Sequence, residues 1–226
     1  VLLPPLWLLA ADLLQLMNAI LEWMAGWPWA MHGAALAPLW AGRAGVGGGR
    51  LLAARLPFSW RWQGLLWLAP VLLWQSVRPA SGEFELLMLD IGQGSSVLVR
   101  TAGHSLLYDT GARHSERSDA GQRILVPLLA ALDERLDRLV LSHADNDHAG
   151  GAPAVLQARP QARVMGSLPP AHPLHASPGV TTCQAGQQWE WEGVRFEVLH
   201  PAAGAAITEA NTNASSCVLR ISNGRR

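Results

Sequence analysis

The stretch Leu139-Val-Leu-Ser-His143-Ala-Asp145-Asn-Asp147-His148-Ala-Gly-Gly151 decides how the rest of the chain is read. Two His and two Asp fall within six residues, directly after an apolar run and directly before a Gly-Gly pair. The end of a strand holds side chains rigidly, and a tight loop after it can turn several donors toward one point, as a metal site requires. Imidazole with carboxylate is the ligand set of a hydrolytic Zn, Mn or Fe centre. A polar loop capping a helix, with Asp147 as N-cap, accounts for one such residue but not for the cluster.

Outward from the cluster, the periodicity predicts strands with helices set between them. Residues 83–90 alternate and run into Ile91-Gly-Gln-Gly94, a strand ending in a glycine turn. Residues 96–100 and 105–108 read as short strands joined through Ala102-Gly103. Residues 121–132 read as helix and 136–142 as a buried strand. Beyond the cluster, 150–157 begins a helix, 163–166 is a strand, and 189–199 is a hairpin turning at Glu192-Gly193. Residues 216–221 form a last strand. The expected class is α/β, with sheets covered by helices.

Composition changes sharply near residue 80. Half of the chain is hydrophobic and only 15% is charged, against roughly 25% charged in an ordinary soluble domain. The first 80 residues hold nine of the eleven Trp but only two acids, Asp12 and Glu22. The expected division is therefore 1–80, Trp-rich membrane or interfacial helices, and 81–226, the catalytic domain. Residues 1–30 read as apolar helix, interrupted by Pro4-Pro5, Gly26 and Pro28. Asp12, Gln15, Asn18 and Glu22 recur on one side, which favours an interfacial or bundle-packed helix. Residues 41–50 read as a flexible, basic connection. Residues 64–74 are a second apolar run, shorter than the roughly 20 residues of a span. Arg43, Arg50, Arg55 and Arg61 precede that run and Arg78 follows it. If it spans, everything after Pro79 lies outside the cytoplasm.

The formal net charge of zero hides a split. The first 80 residues carry five Arg and two acids; the remainder carries twelve Arg and fifteen acids. An acidic catalytic half does not by itself attract a polyanion, so nucleic acid would need bound metal or another domain to recruit it. The two cysteines, Cys183 and Cys217, form no CxxC pair, which excludes a zinc finger. If the domain faces outward, they are expected to form a disulfide.

The loop His143-Ala-Asp145-Asn-Asp147-His148-Ala-Gly-Gly resembles the hallmark loop of the metallo-β-lactamase fold, with Asp145 where that fold usually has a second His. The resemblance implies an αββα sandwich, here cut short at its C-terminus, and a centre of two divalent ions. His143 and Asp145 would face one ion; Asp147 and His148 would face the other, with Asp147 and His148 as the catalytic pair. A carboxylate in place of imidazole makes the first position harder, shifting preference from Zn²⁺ toward Mn²⁺ or Mg²⁺.

Three further strings narrow the likeness. Phe84-Glu-Leu-Leu-Met-Leu-Asp90-Ile-Gly-Gln-Gly-Ser-Ser96, Leu106-Leu-Tyr-Asp109-Thr-Gly111 and the His-Asp loop together resemble the ComEC family, membrane channel proteins of natural DNA uptake. That likeness implies a multi-pass protein of the bacterial inner membrane. Its hydrolase domain would be periplasmic, with single-stranded DNA and other competence proteins as partners. Asp90, at the end of the first strand, and Asn213, where many members of the fold place another His, are expected as further metal ligands. The fold's bridging Asp and final His would follow Arg226, so the chain alone is expected to bind metal poorly and not to turn over. Asp109-Thr-Gly-Ala is also an aspartic-protease string, but a single copy would need a dimer, and in this family it is a strand end. The resemblance implies a metal-dependent nuclease that hydrolyses DNA phosphodiesters; the rivals are another hydrolase on the same fold and a domain that guides DNA or gates the channel without catalysis.

Overall fold

The computed structural model describes residues 3–25, 36–115, 118–176 and 179–224. Gly26, Pro28 and His32 lie outside them. The chain divides into two compact units, Val1–Ala34 and Ala35–Arg226.

In the first unit, α1 (Leu3–Ala25) is one continuous helix. Its stretch Leu6–Met24 is the one segment among the described residues long and apolar enough to cross a membrane. Its Leu and Trp side chains are exposed, Trp7 by 73% and Trp23 by 64%. Pro4 and Pro5 fall in the first turn, where a missing N–H leaves no helix bond unmade.

The second unit opens with α2 (Leu39–Ala53), α3 (Phe58–Arg61) and α4 (Gln63–Leu72). The expectation of a flexible connection over 41–50 is overturned: those residues lie inside α2. The reason is packing. A Cβ on Gly48 would lie 2.5 Å from the Gly64 carbonyl, and one on Gly64 would lie 2.6 Å from that of Gly48. The glycines that weaken a helix locally are those that let α2 and α4 touch backbone to backbone, as small residues do between membrane helices. At ten residues, α4 is too short to span a bilayer.

The remainder of the second unit is a layered α/β structure. Its strands are β1 (Glu85–Met88), β2 (Val97–Arg100), β3 (Ser105–Tyr108), β4 (Arg113–Ser115), β5 (Ser118–Asp119), β6 (Arg138–Leu141), β7 (Arg163–Gly166), β8 (Thr181–Thr182), β9 (Gln188–Trp191), β10 (Val194–His200) and β11 (Val218–Ser222). Its helices are α5 (Val126–Ala131), entered through a π-turn at Gly121–Leu125, then α6 (Asn146–Ala149) and α7 (Ala152–Ala158). One sheet runs β1-β2-β3-β6-β7-β8, another runs β11-β10-β9, and β4 with β5 makes a small hairpin. In the large sheet, β1–β3 are antiparallel and β3, β6, β7 and β8 are mutually parallel.

Period-two alternation sorts the large sheet's side chains into two cores. Leu107, Leu139, Leu141 and Val164 pack with Leu125 and Leu129 and with Val155 of α7. Leu106, Val140 and Met165 face the other way and pack with Val194, Phe196 and Val198 of the small sheet. The disulfide Cys183–Cys217 closes this second core. A buried ion cluster ties the segment before β1 onto the sheet. The Arg100 guanidinium contacts Glu134 at 2.6 Å, Glu85 at 2.8 Å, Ser76 Oγ at 2.7 Å and the Val77 carbonyl at 3.0 Å. Arg78 pairs with the same Glu134.

Candidate metal centre

The cluster lies at the C-terminal end of β6, where the chain leaves the sheet, turns once through α6 and enters α7. Two neighbouring loops set its shape. Residues 109–111 lie alongside it, with the Thr110 N–H and Oγ both donating to the His148 carbonyl at 2.7 and 2.9 Å and the Gly151 N–H donating to the Gly111 carbonyl at 3.1 Å. The turn after β1 presses on it from the other side. A Cβ on Gly94, at φ +96°, would lie 1.9 Å from the Asp147 carbonyl, so only glycine fits there.

Within the cluster, the His143 and His148 rings lie 4.1 Å apart, tilted by 42°. The Nε2 of His143 is 3.4 Å from the Asp145 carboxylate, and the Nε2 of His148 is 3.5 Å from that of Asp147. Among the described residues no three His, Cys, Asp or Glu side chains converge as a closed metal cage. The four candidates instead lie two by two, His143 with Asp145 and Asp147 with His148.

The Nδ1 atoms meet at Asp109. His148 Nδ1 is 2.8 Å from Asp109 Oδ2, and His143 Nδ1 is 2.9 Å from Ser142 Oγ. Ser142 Oγ in turn lies 2.8 Å from Asp109 Oδ2, while the Ser142 N–H donates to Oδ1 at 2.7 Å. Ser142 has one hydroxyl proton and directs it to the carboxylate, so it accepts the Nδ1–H of His143. Both imidazoles therefore carry hydrogen on Nδ1 and present an Nε2 lone pair beside a carboxylate. A carboxylate behind a ligand imidazole fixes its tautomer and raises its basicity. The His148 pKa is accordingly raised above 6.5, chiefly by the Asp109 hydrogen bond, against burial, with the charges of Asp109, Asp147 and Asp145 adding to the rise.

The other two expected ligands are placed differently. Asn213 turns its Nδ2 to Asp145 at 3.1 Å, beside Thr212 Oγ1 at 2.9 Å, so both buttress that carboxylate. Asp90 is exposed and accepts the Gly92 N–H at 3.3 Å within its own turn. Asp109 and Ser142 carry no metal-like spacing in the sequence. Asp109 is 1% exposed at φ +59°, a buried carboxylate in a left-handed conformation. The string Asp-Thr-Gly was the available signal for it.

The donor chemistry fits divalent metal: each pair offers an imidazole lone pair and a carboxylate, and each imidazole is anchored at its far nitrogen. Asp145 and Asp147 are 39% and 46% exposed, so this side of the loop opens to solvent.

Residues 89–223 match the model of the metallo-β-lactamase superfamily. The chain is 38% identical over 137 residues to Recombination protein 2 of Haemophilus influenzae, covering 61% of this chain and 16% of that protein. It is 41% identical over 157 residues to Competence protein ComA of Neisseria gonorrhoeae, covering 66% of this chain and 20% of that one. It is 35% identical over 103 residues to a hydroxyacylglutathione hydrolase of Aeromonas salmonicida, covering 46% and 36%. The chain thus spans a fifth or less of the two competence and recombination relatives.

Proposed function

Since the chain belongs to the metallo-β-lactamase superfamily, on the branch of the ComEC-type competence proteins, we propose that its layered domain is a metal-dependent phosphodiesterase acting on a DNA strand during uptake. The observation that carries this reading is the pair of anchored imidazoles, each with Nε2 beside a carboxylate and Nδ1 tied to Asp109 directly or through Ser142. His143 with Asp145, and Asp147 with His148, would hold the metal. Bound there, divalent ions supply charge stabilisation and a more acidic water. DNA as substrate is supported by the names of the relatives, Recombination protein 2 and Competence protein ComA.

In this mechanism a water oxygen bonds to phosphorus as one ester P–O bond breaks. Asp147 orients that water and takes its proton, which passes to the departing alkoxide. His148 holds its place through Asp109, and Asp145 keeps its orientation through Thr212 and Asn213. The apolar stretch Leu6–Met24 of α1, long enough to cross a membrane, supports a location at the bacterial inner membrane, and in this reading the hydrolase domain faces the periplasm.

The test is cleavage of single-stranded DNA by the intact gene product with Mn²⁺, Mg²⁺ or Zn²⁺, beside Asp147→Ala. Metal-dependent cutting that the substitution abolishes is the expected result. A folded protein that cuts with none of the three ions contradicts it and leaves a guiding role. Likeness to the hydroxyacylglutathione hydrolase favours a second reading, thioester hydrolysis, which a hydroxyacylglutathione substrate assayed in parallel would reveal.

A further inference from the structure

Arg138 and Arg163 open β6 and β7 as register partners in the parallel pair, so they sit side by side at the same end of the sheet. They occupy the inter-sheet face, in line with Val140 and Met165 of the second core. Alternation calls for apolar residues at these positions; two guanidinium groups stand there instead. Neither forms an ion pair or a side-chain hydrogen bond among the described residues. Arg138 lies over the Trp189 ring at 3.9 Å from its centroid, and Phe196 stacks on Trp189 at 5.1 Å. The two arginines line a cavity of about 210 Å³, walled also by Thr181, Gln187, Gln188 and Trp189, with no Asp or Glu in its lining among the described residues. The Trp189 Nε1–H is buried and has no hydrogen-bond partner among the described residues.

We propose that this cavity is a phosphate-binding site, distinct from the metal centre, that holds a backbone phosphate of a nucleic-acid strand or a free phosphate ion. Two adjacent like charges without a counter-charge are held together at a cost that a bound oxyanion removes, and guanidinium forks match phosphate geometry. Burial, and then the Arg163 charge, lower the proton affinity of Arg138, consistent with a pair awaiting an anion. His143 follows the opposite end of β6, five residues on from Arg138, so at ~3.3 Å per extended residue the two lie up to roughly 16 Å apart. A strand held there would be gripped away from the point of cleavage. The site also gives an otherwise acidic domain a local positive grip. Only the identity of the strand rests on the phosphodiesterase reading.

The test uses the full chain in EDTA, so that the metal centre plays no part, with Arg163→Gln and Arg163→Glu. Arg163 is exposed, and thermal melts check that both variants fold. The probes are a labelled twelve-residue oligothymidylate, followed by anisotropy, and inorganic phosphate, followed by ³¹P line width. Arg163→Gln should weaken oligothymidylate binding about fivefold at ~0.1 M salt and reduce the slope of log K on log salt by about 0.7; Arg163→Glu should weaken it further. Loss of phosphate broadening alone, with oligothymidylate binding unchanged, supports the site with free phosphate as its ligand. Folded variants that match the parent with both probes overturn the proposal. Failure of metal-dependent cleavage, with oligothymidylate binding still sensitive to Arg163, would sink the nuclease reading and leave this site standing.

Discussion

The Nδ1 of His148 lies 2.8 Å from Oδ2 of Asp109, a carboxylate 39 residues earlier in the chain and 1% exposed. That contact leaves Nε2 as the only free nitrogen of the ring and directs it to the Asp147 side of the loop. Asp109 reaches His143 as well, through the Ser142 hydroxyl. One buried carboxylate therefore sets both imidazoles.

Asp109→Asn should leave the fold intact, because Asn tolerates the left-handed backbone found at φ +59°. It removes the charge behind both rings. Divalent metal affinity, measured by calorimetry, should fall by about 10–100-fold. An unchanged affinity would show that Asp109 only supports the loop.

The same contact makes a pH prediction. The His148 pKa is raised in the metal-free protein, so its imidazolium contributes stability below pH 6.5 that is lost as pH rises through the folded pKa. Metal must displace that proton, so affinity should climb with pH across the same window. An NMR titration of the ring protons should show a midpoint above 6.5, returning toward the ordinary value in Asp109→Asn. A midpoint unaffected by that substitution would refute the assignment.

Much of this arrangement is legible in the sequence where its causes are local. Strands β3 and β7 fall where alternation puts them, and the hairpin turns at Glu192-Gly193, both residues with positive φ. The His-Asp loop announces itself because its donors are close in sequence. Asp109 did not, because its partners are 33 and 39 residues away and a carboxylate before Thr-Gly reads equally well as a turn. The glycine run inside α2 was misread for the opposite reason: its local preference is for disorder, and packing against α4 overrides it. Strands β5 and β8 have two residues each, too short for any period to register.

The α2–α4 contact separates two glycines that look alike in sequence. Gly48→Ala puts a methyl against the Gly64 carbonyl and should destabilise the pair, whereas Gly49→Ala meets nothing within 4 Å. The second change should stabilise the helix by roughly 0.5–1 kcal/mol. Thermal melts of the two variants that shift in the same direction would contradict the packing.

The Cys183–Cys217 bridge spans 34 residues. It joins the chain after β8 to the start of β11, just past Asn213. In the chain-entropy model Cys217→Ser should cost about 3–4 kcal/mol, measured by denaturant unfolding. A midpoint unchanged by both reduction and substitution would show the bridge to be dispensable.

Glu134, with its side chain fully buried, answers both Arg78 and Arg100. Glu134→Gln keeps the shape but removes the charge, leaving Arg100 buried without its carboxylate. A loss of about 3–5 kcal/mol is expected, and a cost below about 1 kcal/mol would show that Glu85 alone neutralises Arg100.

The most direct measurement is a Mn²⁺ titration of the intact gene product followed by electron paramagnetic resonance. Two ions per chain in magnetic contact, with occupancy lost in His143→Ala and His148→Ala, is the result expected of a centre built from these two pairs. Failure to retain Mn²⁺, or retention that neither substitution disturbs, would contradict the assignment of the His143–His148 loop as a metal centre.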